Sequence, residues 1–381
     1  MLDNKQKEYI IELIKNDQQI PEDMKYDLFP TLQEEYELSY AGKMRKEDLL
    51  ANEDGTFPIP LQVDRVFNGI KHEGFEDEWK NMIVFGDNLQ FLKTINEKKD
   101  PLIKDKIKGK VKLIYIDPPF ATQDEFQNKD GAKAYNDKKQ GAEFLEFLRR
   151  RLILARESLA DDGSIYVHMD QKMGHYVKVI LDEIFGKNNF RNEIIWSYSG
   201  GQPPKDDFPR KHDVIFRYTK SSNYTFNYIY EEYRQSTVDR YDKIDEEGRR
   251  YKITYFNGVE NKSYMKEGKR IEDVWFISKS SDQKTGFAFQ YPTQKPEELL
   301  SRIIRTSTNE GDIVMDFFGG SGTTMAVAEK LNRKWVICDI GKLSYLTIQK
   351  RILTIEDSND IYSGEKYNKK SRSFMTCKLG V

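Results

Sequence analysis

DIVMDFFGGSGTT, residues 312–324, predicts a strand that ends in a tight glycine-rich loop and leads directly into a helix. Small residues allow the backbone of such a loop to approach a ligand closely, and the helix N-terminus offers unpaired N–H groups to an anion. A P-loop would require lysine after Gly322, where this chain has Thr323. A dinucleotide-binding GxGxxG motif starting at Gly320 would require glycine at position 325, which is Met325. The loop therefore indicates a ligand site of a third kind, at the edge of an α/β sheet.

Two acidic residues flank this loop. Asp316 ends the strand before it, and Asp339 ends the next predicted strand, KWVICD. Only one helix separates the two strands, so we expect both carboxylates at neighbouring strand tips, where open α/β sheets bind ligands. A carboxylate at the second tip is suited to accept both hydroxyl groups of a ribose.

A second acidic strand end occurs earlier in the chain, where VKLIYI at 111–116 is followed by Asp117-Pro118-Pro119-Phe120. The prolines stiffen the backbone and hold the Asp117 carboxylate and the Pro118 carbonyl at the sheet edge. Both groups are acceptors, which an amino group with two N–H donors, such as adenine N6, satisfies together. Phe120 offers a ring on which the base stacks. Taken alone, the tetrapeptide is equally compatible with a simple tight turn.

The order of the predicted elements indicates the fold class. Strands alternate with helices over residues 81–220 and again over 285–355, which predicts a doubly wound, mostly parallel sheet with α/β architecture. Residues 1–80 are predicted to be a helical and irregular extension. The segment 221–284 lacks the alternation and is interpreted as an insertion, whereas 356–381 is predicted to be a polar, loosely held tail.

Composition limits the class of protein. The 61 Lys and Arg residues balance 63 Asp and Glu, and the net charge of −2 is not that of an overall basic nucleic-acid binder. A local positive cleft is nevertheless compatible with this net charge. The two cysteines, Cys338 and Cys377, form no metal-binding pattern, which predicts neither a metal site nor a disulfide. Without a long apolar run or a signal peptide, we expect a cytoplasmic protein with no membrane partner.

Five sequence blocks, in this order, resemble the DNA amino-methyltransferases of restriction-modification systems, in the β group where the catalytic tetrapeptide precedes the glycine loop. They are GDNLQFL from 86, DPPF from 117, KHDVIFRY from 211, YPTQKPEELL from 291 and DFFGGSGTT from 316. The resemblance implies S-adenosyl-L-methionine as cofactor and a seven-strand, Rossmann-like methyltransferase sheet. The N-terminal 80 residues and WKNMIVFGDN at 79–88 are most similar to modification subunits of type III systems.

The resemblance also implies the roles of individual residues. The target base is implied to lie against Asp117, Pro118, Pro119 and Phe120. Cofactor binding is implied for Asp87, Asn88, Thr293, Lys295, Asp316, Phe317, Gly319, Ser321, Gly322, Thr323 and Asp339. Among these, Asp87 is the candidate partner of the cofactor's adenine amino group and Asp339 that of its ribose. Asp rather than Ser at position 117 favours adenine N6 over cytosine N4 as the methylated group.

The insertion lies where that family has its target-recognition region, which implies double-stranded DNA as partner. The candidate DNA contacts are Lys205, Arg210, Lys211, His212, Arg234, Arg240, Arg249 and Arg250. The loop at 199–213 is predicted to close over a flipped nucleotide. The resemblance further implies a homodimer and a restriction partner, a nuclease or helicase subunit. Two alternatives stay open, a cytosine-N4 methyltransferase and a DNA-binding subunit of a nuclease complex without turnover.

Overall fold

The computed structural model describes most of the chain in two compact units, one within residues 1–39 and one within residues 40–381. The described residues are 4–16, 18, 20–21, 37–69, 79–119, 125–127, 133–136, 141–200, 204–279, 291 and 293–380. In the first unit, helix α1 (Asn4–Lys15) buries Ile10 and Leu13, which are spaced for one face of a helix.

Among the described residues, the second unit contains the remaining helices and all the strands. Its helices are α2 (Lys46–Leu50), α3 (Asn88–Glu97), α4 (Gly141–Ser158), α5 (Gly174–Phe185), α6 (Gln235–Val238), α7 (Glu297–Ser307), α8 (Thr323–Lys330) and α9 (Lys342–Leu353). Two short 3₁₀ turns lie at Lys187–Asn189 and Ile355–Asp357. The strands that follow one another from the first to the eighth are β1 (Leu61–Phe67), β2 (Asn81–Phe85), β3 (Val111–Ile116), β4 (Glu125–Gln127), β5 (Lys133–Asn136), β6 (Leu159–Met169), β7 (Phe190–Ser197) and β8 (His212–Thr219). The later strands are β9 (Tyr230–Glu231), β10 (Lys243–Ile244), β11 (Arg250–Phe256), β12 (Val259–Tyr264), β13 (Lys269–Arg270), β14 (Val274–Phe276), β15 (Ile313–Asp316), β16 (Lys334–Asp339) and β17 (Phe374–Leu379).

The main sheet has ten strands in the order β1-β17-β2-β16-β15-β3-β6-β8-β7-β14. From β17 to β6 each neighbouring pair is parallel, and β8 runs antiparallel to both β6 and β7. Helices α3, α4 and α5 pack against one another, and so do α7, α8 and α9, which gives two helical layers on a Rossmann-like sheet. The α/β prediction is confirmed. The seven predicted strands are β2, β16, β15, β3, β6, β8 and β7, and three further strands extend the sheet at its edges.

The C-terminal segment differs from its prediction as a loosely held tail. Residues 374–379 form β17, which lies between β1 and β2, and Phe374 and Cys377 are fully buried. Phe374 stacks on Phe67 of β1 with ring centroids 4.5 Å apart. The polar residues before this strand give the segment the composition of a loose tail. The strand was not predicted because its partners are remote in the sequence. Part of the predicted N-terminal extension, residues 61–67, therefore also belongs to the main sheet.

The insertion is confined to fewer residues than predicted. Within it, β10, β11 and β12 form a three-stranded sheet, and β9 pairs with β13. However, β14 pairs with β7 of the main sheet, and Trp275 and Ile277 are buried in the core. The boundary at 284 therefore comes too late, because the apolar run at the end of the segment is a sheet strand. The rest of the five-segment division stays a prediction.

Among the described residues, no helix is long and apolar enough to cross a membrane. No group of His, Cys, Asp and Glu side chains among them is arranged to hold a metal ion. The two cysteines are free thiols, and both are buried.

Candidate active site

A cavity of about 540 Å³ lies at the carboxyl ends of four neighbouring parallel strands. The strands β2, β16, β15 and β3 end there, so the loops that follow them meet at one edge of the sheet. The predicted residues that line the cavity are Asp87, Asn88, Asp117, Pro118, Pro119, Thr293, Lys295, Asp316, Phe317, Gly319, Ser321, Thr323 and Asp339. The structure thus brings together segments that are more than 200 residues apart in the chain.

The glycine loop is held by its own acidic residue. The Asp316 carboxylate accepts hydrogen bonds from the Phe318 N–H at 2.9 Å and from the Thr324 hydroxyl at 2.6 Å. Burial raises the pKa of Asp316 to about 7, and these two donors oppose the rise only in part. Gly322 has φ of +73°, a left-handed conformation that glycine adopts without strain, and it packs against Ile348 behind the loop rather than lining the cavity.

Asp339 organises the same loop from the adjacent strand. Its carboxylate accepts from the N–H of Gly320 at 2.8 Å and from the N–H of Gly341 at 2.7 Å. Burial raises the pKa of this carboxyl above its ordinary range, although the two backbone donors lower it. The strands β15 and β16 are direct neighbours, with Asp316 opposite Ile337. The two carboxylates therefore stand at adjacent strand tips on either side of the glycine loop.

Gly319 has no room for a side chain. A Cβ atom added there would lie 2.7 Å from Cγ1 of Ile337, which is closer than real Cβ atoms approach, and 3.1 Å from Cδ1 of Ile348, which is a tight contact. We expect Gly319→Ala to lower the free energy of unfolding by about 1–3 kcal/mol, because overpacking displaces both isoleucines. Urea denaturation of the variant measures this change. Ser321→Ala is the control in the same loop, since it removes an atom, and an equal loss in both variants would contradict the steric explanation.

At the far end of the cavity, Asp87 and Asn88 begin helix α3. One Asp87 oxygen caps this helix, accepting from the N–H groups of Leu89 and Gln90 at 2.8 and 3.1 Å. The other oxygen pairs with the Arg151 guanidinium at 3.2 Å. Arg151 also contacts the Asn88 side chain.

Arg151 and Phe147 are residues of this site that the sequence did not indicate. The guanidinium of Arg151 stacks on the Phe147 ring, 3.6 Å from its centroid, and both side chains line the cavity. They stand one turn apart on helix α4, in a run whose apolar spacing indicates only an ordinary helix. No local signal distinguishes Arg151 from the two arginines that precede it.

Asp117 lies at the opposite end of the cavity, after β3. One of its oxygens is paired with the Lys295 ammonium, and Lys295 in turn accepts at its carbonyl from the Thr323 hydroxyl at 3.1 Å. Lys295 therefore links the loop after β3 to the glycine loop. The other oxygen, Oδ1, is buried and has no hydrogen-bond partner among the described residues. An unpaired buried carboxylate oxygen is costly, so it marks a position suited to an N–H donor from a ligand.

A buried polar chain behind Asp117 was also not predicted. The His168 Nδ1 lies 3.9 Å from Asp117 Oδ1 and 2.8 Å from the Tyr115 hydroxyl, and its Nε2 is 3.3 Å from Asp213. Asp213 also accepts from the Tyr198 hydroxyl at 3.0 Å. Burial alone would raise the pKa of Asp213, but the hydrogen bond and charge of His168 outweigh it and the pKa falls to about 2. These side chains belong to neighbouring strands, so only the sheet order brings them together.

The remaining predicted residues lie outside the cavity or outside the described residues. Phe120 is not among the described residues, and neither are 201–203 of the predicted closing loop. Lys205 and Arg210 are exposed, and Lys211 donates to the carbonyl of Gly200. His212 begins β8 and is half-buried. Exposed positions in the insertion are occupied by Arg234, Arg240, Arg249 and Arg250.

Comparison with known proteins identifies the family to which this chain belongs. The sequence profile described as DNA methylase matches residues 111–350, and the chain belongs to this family. A type II methyltransferase of Enterobacter cloacae, M.EcaI, is 30% identical over 364 residues, covering 82% of this chain and 77% of the relative. The probable type III restriction-modification enzyme HindVI Mod subunit of Haemophilus influenzae is 28% identical over 75% of this chain, which spans 51% of that subunit. Among solved structures, the PvuII DNA methyltransferase (cytosine-N4-specific) aligns with a TM-score of 0.46 at 18% identity, covering 75% of this chain and 90% of the other.

The chain is therefore a DNA methyltransferase, with S-adenosyl-L-methionine as its cofactor. The residues of the cavity fit that molecule. The volume of the cavity lies in the range of about 300–1,000 Å³ that is usual for small-molecule sites. Three carboxylates, those of Asp87, Asp316 and Asp339, suit a ligand that carries an ammonium group, two ribose hydroxyls and an aromatic amine. Gly319 and Gly320 also line the cavity, so the glycine loop presents backbone atoms to the ligand there.

Proposed function

We propose that this enzyme methylates the exocyclic amino group N6 of adenine in double-stranded DNA, as the modification component of a restriction-modification system. One observation carries the proposal, the buried Asp117 Oδ1 without a hydrogen-bond partner at the end of the cavity. Pro118 and Pro119 follow it directly and line the same cavity. A flipped base that enters here meets an acceptor oxygen rather than a donor.

Asp117 and the Pro118 carbonyl hold the amino group by accepting its two N–H donors. This arrangement directs the nitrogen lone pair away from conjugation with the purine ring and towards the glycine loop. The cofactor supplies a methyl group bound to a positively charged sulfur. The amino nitrogen loses one proton as it gains the methyl group, and the Asp117 carboxylate is the acceptor nearest to that proton. Positioning of the amine is thus the main contribution of this loop.

The cofactor is held by the three other strand ends. Asp316 and the N–H groups at the start of helix α8 take its amino-acid end, and Asp339 takes its ribose hydroxyls. Asp87 keeps one oxygen in the helix cap, so the oxygen shared with Arg151 is the acceptor for the adenine amine. Thr293 and Lys295 also line the cavity, and Lys295 contacts both the loop after β3 and the glycine loop.

Adenine is favoured over cytosine because position 117 is Asp, the residue that the resembling adenine enzymes have, rather than Ser. The restriction-modification context rests on the similarity to the HindVI Mod subunit, of which the chain spans about half, and to the StyLTI Mod subunit of Salmonella typhimurium. Association with a restriction subunit and formation of a homodimer are parts of the same proposal. Light scattering with and without duplex DNA measures the second.

The deciding experiment transfers labelled methyl groups from S-adenosyl-L-methionine to random-sequence duplex DNA. The product is digested to nucleosides and separated, and we expect the label in N6-methyldeoxyadenosine. Label in N4-methyldeoxycytidine would contradict adenine as the target base, while methyl transfer to an exocyclic amino group would still hold. Tight DNA binding without transfer would instead support the non-catalytic DNA-binding subunit. Sequencing of the labelled DNA then maps the recognition site.

The raised pKa of Asp316 makes cofactor affinity depend on pH. Its folded pKa of about 7 exceeds the ordinary value of 3.8, so this carboxyl is neutral in the free protein at acid pH and ionised above pH 7. The same shift opposes folding increasingly as pH rises from 3.8 to about 7, and binding of a cation offsets this cost by favouring the ionised form. We expect the dissociation constant to fall at least about tenfold between pH 5.5 and 7.5 and to level off above it.

Isothermal titration calorimetry in two buffers of different ionisation enthalpy checks this prediction. Binding near pH 7 is expected to release protons. Asp316→Asn is the matched control, because it keeps the shape and removes the titration, and its affinity is expected to vary less with pH. Since burial also raises the pKa of Asp339, an unchanged pH profile in the Asp316 variant would assign the effect to Asp339 instead.

A further inference from the structure

The hairpin of β11 and β12 ends in an apolar tip. Phe256 and Val259 face one another across the turn, and 76% of the Phe256 side chain and 68% of the Val259 side chain are exposed. Asn257 and Gly258 form the turn with φ of +50° and +78°. Such a two-residue turn with two left-handed residues matches the twist of the strands and holds a hairpin in one register. The two apolar side chains are therefore presented at a defined position, with no cover from the described residues.

The stem of this hairpin is stiffened on its other face. Tyr251 and Tyr264 are a cross-strand pair with ring centroids 5.7 Å apart, and the Lys262 ammonium lies 3.9 Å from the Tyr251 centroid. Arg249 lies over the Tyr264 ring at 4.7 Å. Since side chains alternate along a strand, Tyr251 and Phe256, five residues apart, lie on opposite faces. The aromatic and cationic stack therefore supports the tip without covering it.

The face that carries the tip is positively charged. Arg250 and Lys252 stand at even spacing from Phe256 and share its face, with Lys252 about 13 Å from the tip along the strand. Over residues 243–270 there are eight Lys and Arg against five Asp and Glu, in a chain whose net charge is −2. Glu260 is the acid nearest the tip, but it lies on the opposite face and accepts from the Tyr255 hydroxyl at 3.3 Å.

We propose that Phe256 and Val259 form a wedge that enters a groove of the DNA duplex and inserts at a base step, while Arg250 and Lys252 contact the flanking phosphates. This inference rests on the proposed function, since it adds a second contact to the same duplex. Apolar wedges on a positively charged support unstack base steps and kink the duplex.

A second copy of the chain is the other occupant that this surface suggests, and the size of the tip argues against it. A stable protein interface buries about 800 Å² on each partner, whereas two side chains on a two-residue turn offer only a small part of that area. The positive face beside the tip also suits a polyanion. Duplex DNA satisfies both features.

The test compares the wild type with the double variant Phe256→Ser, Val259→Ser in methyl transfer to a duplex of about 40 base pairs that contains the mapped site. We expect KM for DNA to rise about tenfold or more, with little change in kcat, because the stacking contact is lost and the active site is untouched. Fluorophores at the two ends of the duplex report its bending, which the variant is expected to reduce. The single variant Phe256→Trp should keep the wild-type KM for DNA and the wild-type bending, since a larger ring still stacks.

The salt dependence of DNA affinity distinguishes the contribution of the apolar wedge from that of the charged residues beside it. The double variant is expected to keep the slope of affinity against salt concentration, because apolar contacts release no counterions. Lys252→Ser is expected to reduce that slope by about 1. Tyr362→Ser, an exposed aromatic outside the hairpin, is the control and should leave both KM and bending unchanged.

Two outcomes would overturn the wedge. One is an unchanged KM and unchanged bending in the double variant, and the other is a loss of oligomer mass in light scattering, which would make the tip a contact between copies. If the wild type transfers no methyl group, the proposed function fails by itself. In that case the bending of a fluorophore-labelled duplex of arbitrary sequence still tests the wedge, because this measurement requires DNA binding but no turnover.

Discussion

Replacing Asp117 by Asn is expected to lower the rate of methyl transfer about 10³-fold, with cofactor affinity unchanged. The amide has the shape of the carboxylate but half of its acceptor capacity and no negative charge, so it holds the target amine poorly and takes up no proton. Removal of a single positioned hydrogen-bonding group in an active site typically costs about 10²–10³ in kcat. Because its buried Oδ1 has no hydrogen-bond partner among the described residues, Asp117 is the residue where the largest loss is expected.

Single-turnover transfer of labelled methyl groups measures this loss, and calorimetry measures cofactor binding in the same preparation. The matched control is Asp213→Asn, which alters the polar chain behind the site while leaving Asp117 in place. If the Asp117 variant transfers methyl groups at a rate within a few-fold of the wild type, Asp117 has no direct role in the reaction. Loss of cofactor affinity together with activity would show instead that the loop has collapsed.

Replacing Glu329 by Ala is expected to lower the free energy of unfolding by about 3–5 kcal/mol, the cost of breaking a buried ion pair by removing one partner. Glu329 is fully buried and accepts from the Trp335 indole at 2.7 Å, from the Asn81 amide at 3.2 Å and from the Arg372 N–H at 2.8 Å. It therefore fastens α8 to β2, to β16 and to the segment that leads into β17.

Urea denaturation followed by tryptophan fluorescence measures this change. Glu329→Gln is expected to lose less stability, because the amide oxygen still accepts a hydrogen bond and only the ion pair with Arg372 is lost. Glu365→Ala, at an exposed position, is the control and should change stability by less than about 0.5 kcal/mol. An equal, small effect in all three variants would show that the network contributes little to folding.

The sequence was most informative where a strand ends in an acidic or glycine-rich loop. Asp117 follows a short apolar strand and Asp316 and Asp339 each end one. Parallel strands that alternate with helices place their carboxyl ends on one edge of the sheet. These local patterns indicated the Rossmann-like fold, and the structure confirms it. The same patterns predicted a shared ligand site, and one cavity holds the three side chains. The roles assigned to them stay predictions until the experiments above are done.

The residues that sequence reasoning missed share a physical reason. Arg151 and Phe147 lie inside a long helix, and His168 and Asp213 lie inside strands, where their types are compatible with ordinary structural positions. Their importance depends on which side chains the sheet order brings next to them. The same holds for β17, whose pairing with β1 and β2 joins residues separated by about 300 positions.

Local chemistry in the chain alone determined that two kinds of loop, one presenting acceptors to an amine and one leaving its backbone open to a ligand, follow strands of an α/β sheet. Only the tertiary structure decided that these loops line one cavity, that Arg151 lines it with them and His168 lies behind Asp117, and that a rigid hairpin exposes Phe256 and Val259. The physical reason is that loop conformation depends on a few neighbouring residues. Contacts between strands depend on the order in which the whole sheet assembles.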